Sequence, residues 1–165
     1  MSQAPKWEPA FCEFVEARQR SFTRTAYAML GNWTDAEDAT QQTFTSLYTK
    51  WPRISSGKTE AYARRALVNT CIGFYRVRGR EVLREHPPDQ GVWEDHDKRL
   101  HLLAALGELT PRDRAVLALR FLDDLSIHDV AQVLDLPEGT VKSQTSRALT
   151  RLQSVLNSNR KEPSR

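Results

Sequence analysis

One segment, residues 125–149, constrains the fold of this chain more than any other. Ser126 stands directly before an apolar repeat and three residues before Asp129, which is the pattern of a capped helix start. Pro137 interrupts the repeat, because proline lacks the amide hydrogen that a helix interior needs. A second apolar repeat begins at Val141, again at helical spacing. The segment therefore predicts a helix-turn-helix, a layout whose second helix fits the major groove of DNA.

The second helix of this pair carries small polar and basic side chains outside its apolar stripe. Side chains of this kind reach phosphates and base edges in a groove. Two amphipathic helices of an ordinary bundle would show the same apolar repeats. The capped start, the proline break and the run Gly139-Thr-Val-Lys-Ser favour the helix-turn-helix over that alternative. The residues outside the stripe are Lys142, Ser143, Ser146, Arg147 and Arg151.

The rest of the chain also repeats apolar residues at helical spacing and shows no strand pattern, so the predicted fold class is all-α. The hydrophobic fraction of 39% and the mean hydropathy of −0.59 favour two small cores over one large core. Thr34 with Glu37 forms a capping-box pattern, and Thr110 before Pro111 forms an N-cap pattern. The predicted helices before the helix-turn-helix cover residues 11–30, 34–50, 59–80, 98–107 and 111–122.

An acidic stretch, residues 85–97, marks the division of the chain, since it holds five acidic residues, paired prolines and neither Lys nor Arg. This composition has little to bury, so it predicts a flexible linker at residues 85–98. We expect two small helical domains joined by this acidic linker. The other boundaries are a disordered N-terminus at 1–10, a first domain at 11–84, a second domain at 99–156 and a polar tail at 157–165.

Positive charge is concentrated in residues 58–84, which hold seven basic and two acidic residues although the net charge of the chain is only +3. Such a stripe suits a polyanion, and an ordinary solvated helix face would explain it equally well.

Several classes of protein are excluded by what the chain lacks. No run approaches the ~20 apolar residues that span a bilayer, and the N-terminus has no apolar signal core. Cys12 and Cys71 lie far apart within helical patterns, which is typical of buried reduced thiols in a cytoplasmic protein. The four histidines share no ligand spacing with either cysteine. We therefore expect a cytoplasmic protein with no metal, no cofactor and no membrane partner.

Two further segments carry polar side chains on helices. The helix that starts near Asp35 presents carboxylates and amides on one face, a pattern that is also common in solvated helix starts. The third helix combines aromatic and basic residues around Asn69. Aromatic rings stack on bases while cations follow phosphates, so this mixture suits single-stranded nucleic acid, although core packing would explain Phe74 equally well.

Four motifs, in this order, resemble the sigma-70 family of bacterial RNA polymerase sigma factors, specifically the short extracytoplasmic-function group that keeps only domains two and four. The resemblance covers about residues 11–156. The short chain and its Trp51-Pro52 loop resemble the SigE-type subgroup most. The four motifs begin at Asp35 (Asp-Ala-Glu-Asp), Leu67 (Leu-Val-Asn-Thr), Leu109 (Leu-Thr-Pro-Arg-Asp-Arg) and Gly139 (Gly-Thr-Val-Lys-Ser).

The resemblance implies a promoter-specificity subunit that binds core RNA polymerase and promoter DNA. In the family, domain two binds the clamp helices of the largest subunit and captures melted −10 bases. By motif position, Asn69 would contact a flipped non-template base. The clamp-binding face would be Asp35, Glu37, Asp38, Gln41 and Gln42. The other −10 residues would be Arg53 and Lys58, at the ends of the loop that pockets the base, and Arg76, Arg78 and Arg80, which hold the strand backbone.

Domain four of the family binds the flap of the β subunit and reads the −35 duplex. Here the implied −35 residues are Arg120, Thr140, Lys142, Ser143, Ser146 and Arg147. The acidic linker resembles the segment that threads the polymerase cleft, and two loosely joined domains leave room for an anti-sigma factor between them.

Two other classes of function remain as alternatives. A free-standing helix-turn-helix regulator with an N-terminal helical dimerisation or sensor domain would bind DNA without polymerase. A small helical enzyme would need a nucleophile–base pair, a phosphate loop or a metal cluster, and the sequence shows none of these. A structure in which the chain forms a single globule and buries both Asn69 and Arg147 would contradict the sigma-factor interpretation.

Overall fold

The computed structural model describes residues 2–54, 56–78 and 96–160, except for the side chains of Arg78 and His96. Within these ranges every regular element is helical, which confirms the all-α prediction. The α-helices are α1 (Glu8–Leu30), α2 (Trp33–Lys50), α3 (Thr59–Arg78), α4 (His96–Gly107), α5 (Pro111–Leu117), α6 (Ile127–Leu134) and α7 (Glu138–Arg160). A 3₁₀ turn, Trp51–Arg53, follows α2, and a π-helical turn, Ala118–Leu122, follows α5.

Helices α1, α2 and α3 pack as a three-helix unit. Helix α1 ends at Gly31, whose φ of 74° is the left-handed conformation that glycine adopts without a Cβ clash. Phe22 of α1 stacks on Phe44 of α2 with 5.5 Å between ring centroids, and Leu67 and Cys71 of α3 are buried beside them.

The start of α2 differs from the prediction. Asn32, not Thr34, is the N-cap, and its side-chain oxygen accepts a hydrogen bond from the Asp35 amide at 3.1 Å. Asn caps a helix at least as well as Thr, so α2 begins at Trp33 and Thr34 lies inside its first turn. The predicted Thr34 capping box is therefore wrong.

The second unit, α4 to α7, contains the helix-turn-helix. Thr110 and Ser126 cap α5 and α6, each accepting from the amide three residues on, at 3.2 and 3.0 Å. Helix α6 ends at Asp135 in the left-handed conformation, with φ of 55°, and α7 begins directly after Pro137. Both predicted caps and the predicted turn are present.

The described residues form two apolar clusters, and the larger of them spans both units. A contiguous cluster runs from Phe22 and Leu67 in the first unit to Leu103, Leu119 and Val130 in the second. The expectation of one core for each unit is therefore wrong, because a polar average composition does not reveal that α3 and α6 have apolar sides that pack together. The merger does not bury the implied DNA-binding residues, since Asn69 and Arg147 are both exposed.

Arginine side chains cross the boundary between the units. Arg64 of α3 forms an ion pair with Asp123, and the Thr25 hydroxyl donates to the same carboxylate at 3.0 Å. Arg65 donates to the Val133 carbonyl at 2.9 Å and to the neighbouring Gln132 carbonyl at 2.6 Å.

A third arginine crosses in the opposite direction. Arg114 of α5 is fully buried, donates to the Met29 carbonyl at 2.6 Å and lies 4.5 Å from the ring centroid of Tyr75. Burial lowers the pKa of the Arg114 guanidinium, while Tyr75 offsets part of that effect. A buried guanidinium needs such partners, so this contact fixes α5 against α1 and α3.

Candidate polymerase and nucleic-acid interfaces

The outer face of α2 carries the residues predicted to bind polymerase. The inner face of this helix is buried through Ala36, Ala39, Thr43 and Leu47, and this spacing turns the intervening residues outward. The outward set comprises Glu37, Asp38, Gln41 and Gln42, which are exposed, and Asp35, which is half-buried.

One carboxylate of this face is held in place. The indole nitrogen of Trp33 donates to Glu37 Oε1 at 2.7 Å, and the Trp33 ring packs edge-on against the buried Tyr27 ring at 5.3 Å. The Glu37 carboxylate is therefore anchored through Trp33 to the core. A surface charge with a fixed position suits a specific docking face better than a freely rotating one.

Asn69 lies on a cleft between α2 and α3. The cleft measures about 510 Å³, and its lining includes two side-chain amides, from Gln42 and Asn69, beside the apolar Phe74 and Val77. Amides hydrogen-bond to the edges of an unstacked base, and an aromatic or aliphatic surface packs against its face. The structure thus brings Gln42, predicted to bind the clamp, next to Asn69, predicted to bind a base. The full lining is Gln42, Asn69, Thr70, Gly73, Phe74 and Val77.

A second cleft begins at the other side of Asn69. It measures about 200 Å³ and is shared with Arg65 of α3 and with Arg112 and Asp135 of the second unit. Asn69 therefore lies at the boundary between the two units, a position that the sequence motif did not indicate.

The basic residues predicted to hold a single strand fall into three groups. Arg53, Lys58 and Arg76 are exposed. Arg78 is the last residue of α3, and Arg80 lies outside the described residues, as do residues 85–95 of the predicted linker. Arg64 and Arg65, which belong to the same basic stripe, instead join the two units, so part of the stripe is structural.

Helix α7 presents the predicted groove-reading residues. Val141, Thr145 and Ala148 form its buried side, and the Thr145 hydroxyl donates to the Val141 carbonyl at 2.7 Å. Lys142, Ser143, Ser146 and Arg147 are exposed on the other side, while Thr140 is half-buried. The helix packs through small and β-branched residues, which leaves its polar side open to a groove.

Arg120 differs from the other predicted −35 residues. Its guanidinium is half-buried, donates to the Leu125 carbonyl and lies 5.7 Å from the Phe121 ring centroid. These contacts hold the loop between the π-helical turn and α6. A phosphate contact by Arg120 stays a prediction, and the structure gives this side chain a bracing role that the sequence did not reveal.

An apolar groove lies on the second unit, in a place where the sequence predicted no binding residues. It measures about 200 Å³, and its lining includes Leu102 and Leu106 of α4 and Leu149 and Leu152 of α7. Phe121, 54% exposed, stands at its edge. The available sequence signal was the position of Phe121, a large apolar residue directly after Arg120 and shortly before Asp123 and Asp124.

The two cysteines have different environments. Cys71 is buried, and burial raises the pKa of its thiol to about 12. Cys12 is exposed, so the expectation of two buried thiols is wrong for this residue, which lies on the outer side of α1.

Two findings concern ligand classes. Among the described residues, no three or more His, Cys, Asp or Glu side chains are grouped to hold a metal ion. Within the same ranges, no helix combines the length and apolar character needed to cross a membrane.

Comparisons with known proteins agree with this geometry. Residues 14–81 match the family model described as Sigma-70 region 2, and residues 105–154 match the model described as Sigma-70, region 4. The RNA polymerase sigma-E factor of Streptomyces avermitilis is 35% identical over 90% of this chain and 86% of its own length. The ECF RNA polymerase sigma factor SigE of Mycolicibacterium smegmatis is 30% identical over 90% of this chain and 62% of its own length.

A solved structure shares the fold. The sigma factor RpoE of Bartonella quintana, crystallised with the anti-sigma factor NepR, superposes with a TM-score of 0.75 at 24% identity, over 90% of this chain and 97% of that one. Region 2 thus corresponds to the unit with the Asn69 cleft, and region 4 to the unit with the helix-turn-helix. The chain belongs to the sigma-70 family of RNA polymerase sigma factors, in its extracytoplasmic-function (ECF) group, as the motif resemblance predicted.

Proposed function

We propose that three surfaces of this sigma factor have separate roles in promoter-specific transcription initiation by RNA polymerase. The outer face of α2, from Asp35 to Gln42, binds the clamp helices of the largest polymerase subunit. The α2–α3 cleft captures an unstacked −10 base, and α7 reads the −35 duplex. The observation that carries this division is the exposure of Asn69 on a cleft that offers both amides and an aromatic ring.

Capture of a −10 base needs hydrogen bonds on the base edge together with positive charge along the strand. Asn69 supplies the hydrogen bonds, and Arg53, Lys58 and Arg76 supply exposed charge. We assign the same role to Arg78 and Arg80 from their positions in the sequence. Arg64 and Arg65 are left out, because they hold the two units together.

Reading of the −35 duplex is assigned to Lys142, Ser143, Ser146 and Arg147, with Thr140 at the start of the same helix. Arg147 is the strongest candidate for base readout, because a guanidinium pairs bidentately with the major-groove edge of guanine. Arg120 is kept as a secondary phosphate contact, since its guanidinium is already bonded to Leu125. The apolar groove beside Phe121 suits the flap of the β subunit, because it offers an apolar surface and little charge.

The remaining expectations form part of the same proposal. The protein acts in the cytoplasm, carries out no chemistry of its own and needs no cofactor. The functional units correspond to residues 11–84 and 99–156, extended at their ends by helix, since α1 begins at Glu8, α4 begins at His96 and α7 ends at Arg160. The linker is the part of residues 85–98 that precedes α4. An anti-sigma factor is a further partner, as it is for the matched sigma factor of Bartonella quintana.

Transcription in vitro with purified core polymerase tests the proposal. The template is a DNA library randomised at the −10 and −35 positions, and each transcript carries a barcode that identifies its template. We expect the chain to join core polymerase and to enrich defined bases in both elements. Failure to join core, or transcription without base preference, would contradict the proposal. Tight dimeric binding to duplex DNA without polymerase would instead favour a free-standing regulator.

A further inference from the structure

The first turns of α1 pack against the end of α2. The Trp7 ring lies edge-on to Tyr48 at 4.9 Å and to Phe11 at 6.4 Å between centroids. The Tyr48 hydroxyl donates to Glu8 Oε1 at 3.1 Å. Two residues from the start of the chain thus contact one tyrosine near the end of α2, through a ring contact and a hydrogen bond.

The same aromatic cluster holds the loop between α2 and α3. Phe11 and Phe14 each lie 5.3 Å from the ring of Trp51, the residue that opens the 3₁₀ turn. The Ile54 amide donates to the Trp51 carbonyl at 3.2 Å, and the Ile54 side chain packs on the core. The cluster of Trp7, Phe11, Phe14, Tyr48 and Trp51 is called the aromatic brace below.

The loop that the brace holds is the one assigned to the −10 base. Arg53 lies inside the 3₁₀ turn and is exposed, and Lys58 is exposed directly before α3. At the far end of the loop, the Lys58 carbonyl accepts from the Tyr62 amide at 3.0 Å in the first turn of α3. Trp51 and Ile54 therefore hold the end of the loop that carries Arg53, and the first turn of α3 holds the end that carries Lys58.

We propose that the aromatic brace positions the base-capturing loop, so that Trp7 and Tyr48 act as positioning residues for −10 base selection. This inference rests on the proposed function of the loop. Cations whose backbone is held before binding discriminate between bases better, because the correct base does not have to supply the ordering free energy. Trp7 and Phe11 precede the stretch matched by the region 2 model, which starts at residue 14, so these two members of the brace lie outside that match.

The test uses the full chain with core polymerase and the doubly randomised library. Trp7→Ala removes the outer ring of the brace, Trp7→Phe keeps a ring, and Glu16→Ala changes an exposed position on the same helix. For Trp7→Ala we expect the preference at the most selective −10 position to fall about three- to tenfold, as loss of one or two aromatic pairs would give. The −35 preference and core binding should not change, and Trp7→Phe and Glu16→Ala should resemble the wild type.

Two results would overturn the inference. One is a Trp7→Ala protein with the wild-type −10 preference, and the other is an equal fall in −10 and −35 preference, which would indicate general destabilisation. If circular dichroism shows that Trp7→Ala does not fold, Tyr48→Phe is used instead, because it removes only the hydroxyl bonded to Glu8. This variant should lower the −10 preference about two- to threefold and leave the −35 preference unchanged. A wild-type chain with no −10 preference would contradict the proposed function itself, which is a different outcome.

Discussion

Asp123 forms an ion pair with Arg64, 59 residues earlier in the sequence, and accepts a hydrogen bond from Thr25, 98 residues earlier. The Asp123 side chain is only 3% exposed and that of Arg64 only 11%. This carboxylate of region 4 is thus shielded from water by region 2 and is bonded to helices α1 and α3 of region 2. Its contact with Arg64 is an ion pair among the polar contacts that cross the boundary, beside the arginine-to-carbonyl hydrogen bonds of Arg65 and Arg114.

Arg64→Ala is expected to destabilise the whole chain. It leaves the Asp123 carboxylate buried with the Thr25 hydroxyl as its remaining bonded partner, and loss of one member of a buried pair costs about 3 kcal/mol. Urea denaturation followed by circular dichroism measures the change. Arg76→Ala, an exposed change on the same helix, is the matched control and should alter the free energy of unfolding by less than about 0.5 kcal/mol. Equal effects of the two substitutions would contradict the prediction.

Asp123 should also give the stability a distinctive pH dependence. Burial raises the pKa of its carboxyl above the ordinary value of 3.8, and the nearby Arg64 offsets only part of that rise. Because the folded-state pKa is the higher one, the folded chain binds this proton more tightly. The resulting stabilisation is complete below the ordinary pKa and is lost as the pH rises through the folded-state value.

Comparison with Asp123→Asn isolates this contribution, since Asn does not titrate. The free energy of unfolding of the wild type minus that of the variant should fall as the pH rises from below 3.8. Denaturation series at several pH values measure the difference. A difference that rises with pH would show that Arg64 outweighs burial at this site.

The two thiols should react at very different rates. Cys12 is exposed, whereas burial raises the pKa of Cys71 to about 12, which leaves about one thiolate in ten thousand at pH 8. Mass spectrometry after brief iodoacetamide treatment should show one adduct, on Cys12. Two adducts should appear after unfolding in guanidinium chloride. Rapid labelling of Cys71 in the folded chain would mean that α3 opens easily.

Asn69→Ala should impair promoter melting more than promoter binding. The substitution removes an exposed amide from the α2–α3 cleft and leaves the outer face of α2 unchanged. We expect about a tenfold loss of open complex, measured by permanganate reactivity of the melted region, with normal closed-complex binding. Full permanganate reactivity would contradict the assignment of Asn69 to base capture.

Arg147→Ala should weaken initiation that depends on the −35 element while core binding stays intact. One lost bidentate contact to a base costs about 1–3 kcal/mol, or a loss of roughly 5-fold to 150-fold on a promoter that uses this contact. Arg160→Ala, which removes an exposed charge at the end of the same helix, is the control. Equal losses would mean that Arg147 contributes only general charge.

Local features of the fold were predictable from the sequence, because the relevant groups lie within one turn of each other. Ser126 and Thr110 are caps that bond to amides three residues away, and both were identified. The error at Thr34 arose where two capping residues stand close together and the sequence pattern alone favoured the wrong one.

Contacts between distant residues were not predictable in this way. Arg64, Arg65 and Arg114 look like ordinary helix-surface residues in the sequence, yet each bonds across the boundary between the units. Their roles depend on how the helices of the two units pack together, for which no local pattern exists. The family motif singled out Asn69 as a base contact, but it did not indicate that Asn69 lines a cleft beside Gln42.

The shared apolar core has a practical consequence for anyone who divides this protein. A cut between α3 and α4 would uncover Leu67 and Val68 on one fragment and Val130 and Val133 on the other. Solvent-exposed apolar surfaces of this kind promote aggregation. Either fragment would need charged substitutions on the newly exposed surface to stay soluble when it is expressed alone.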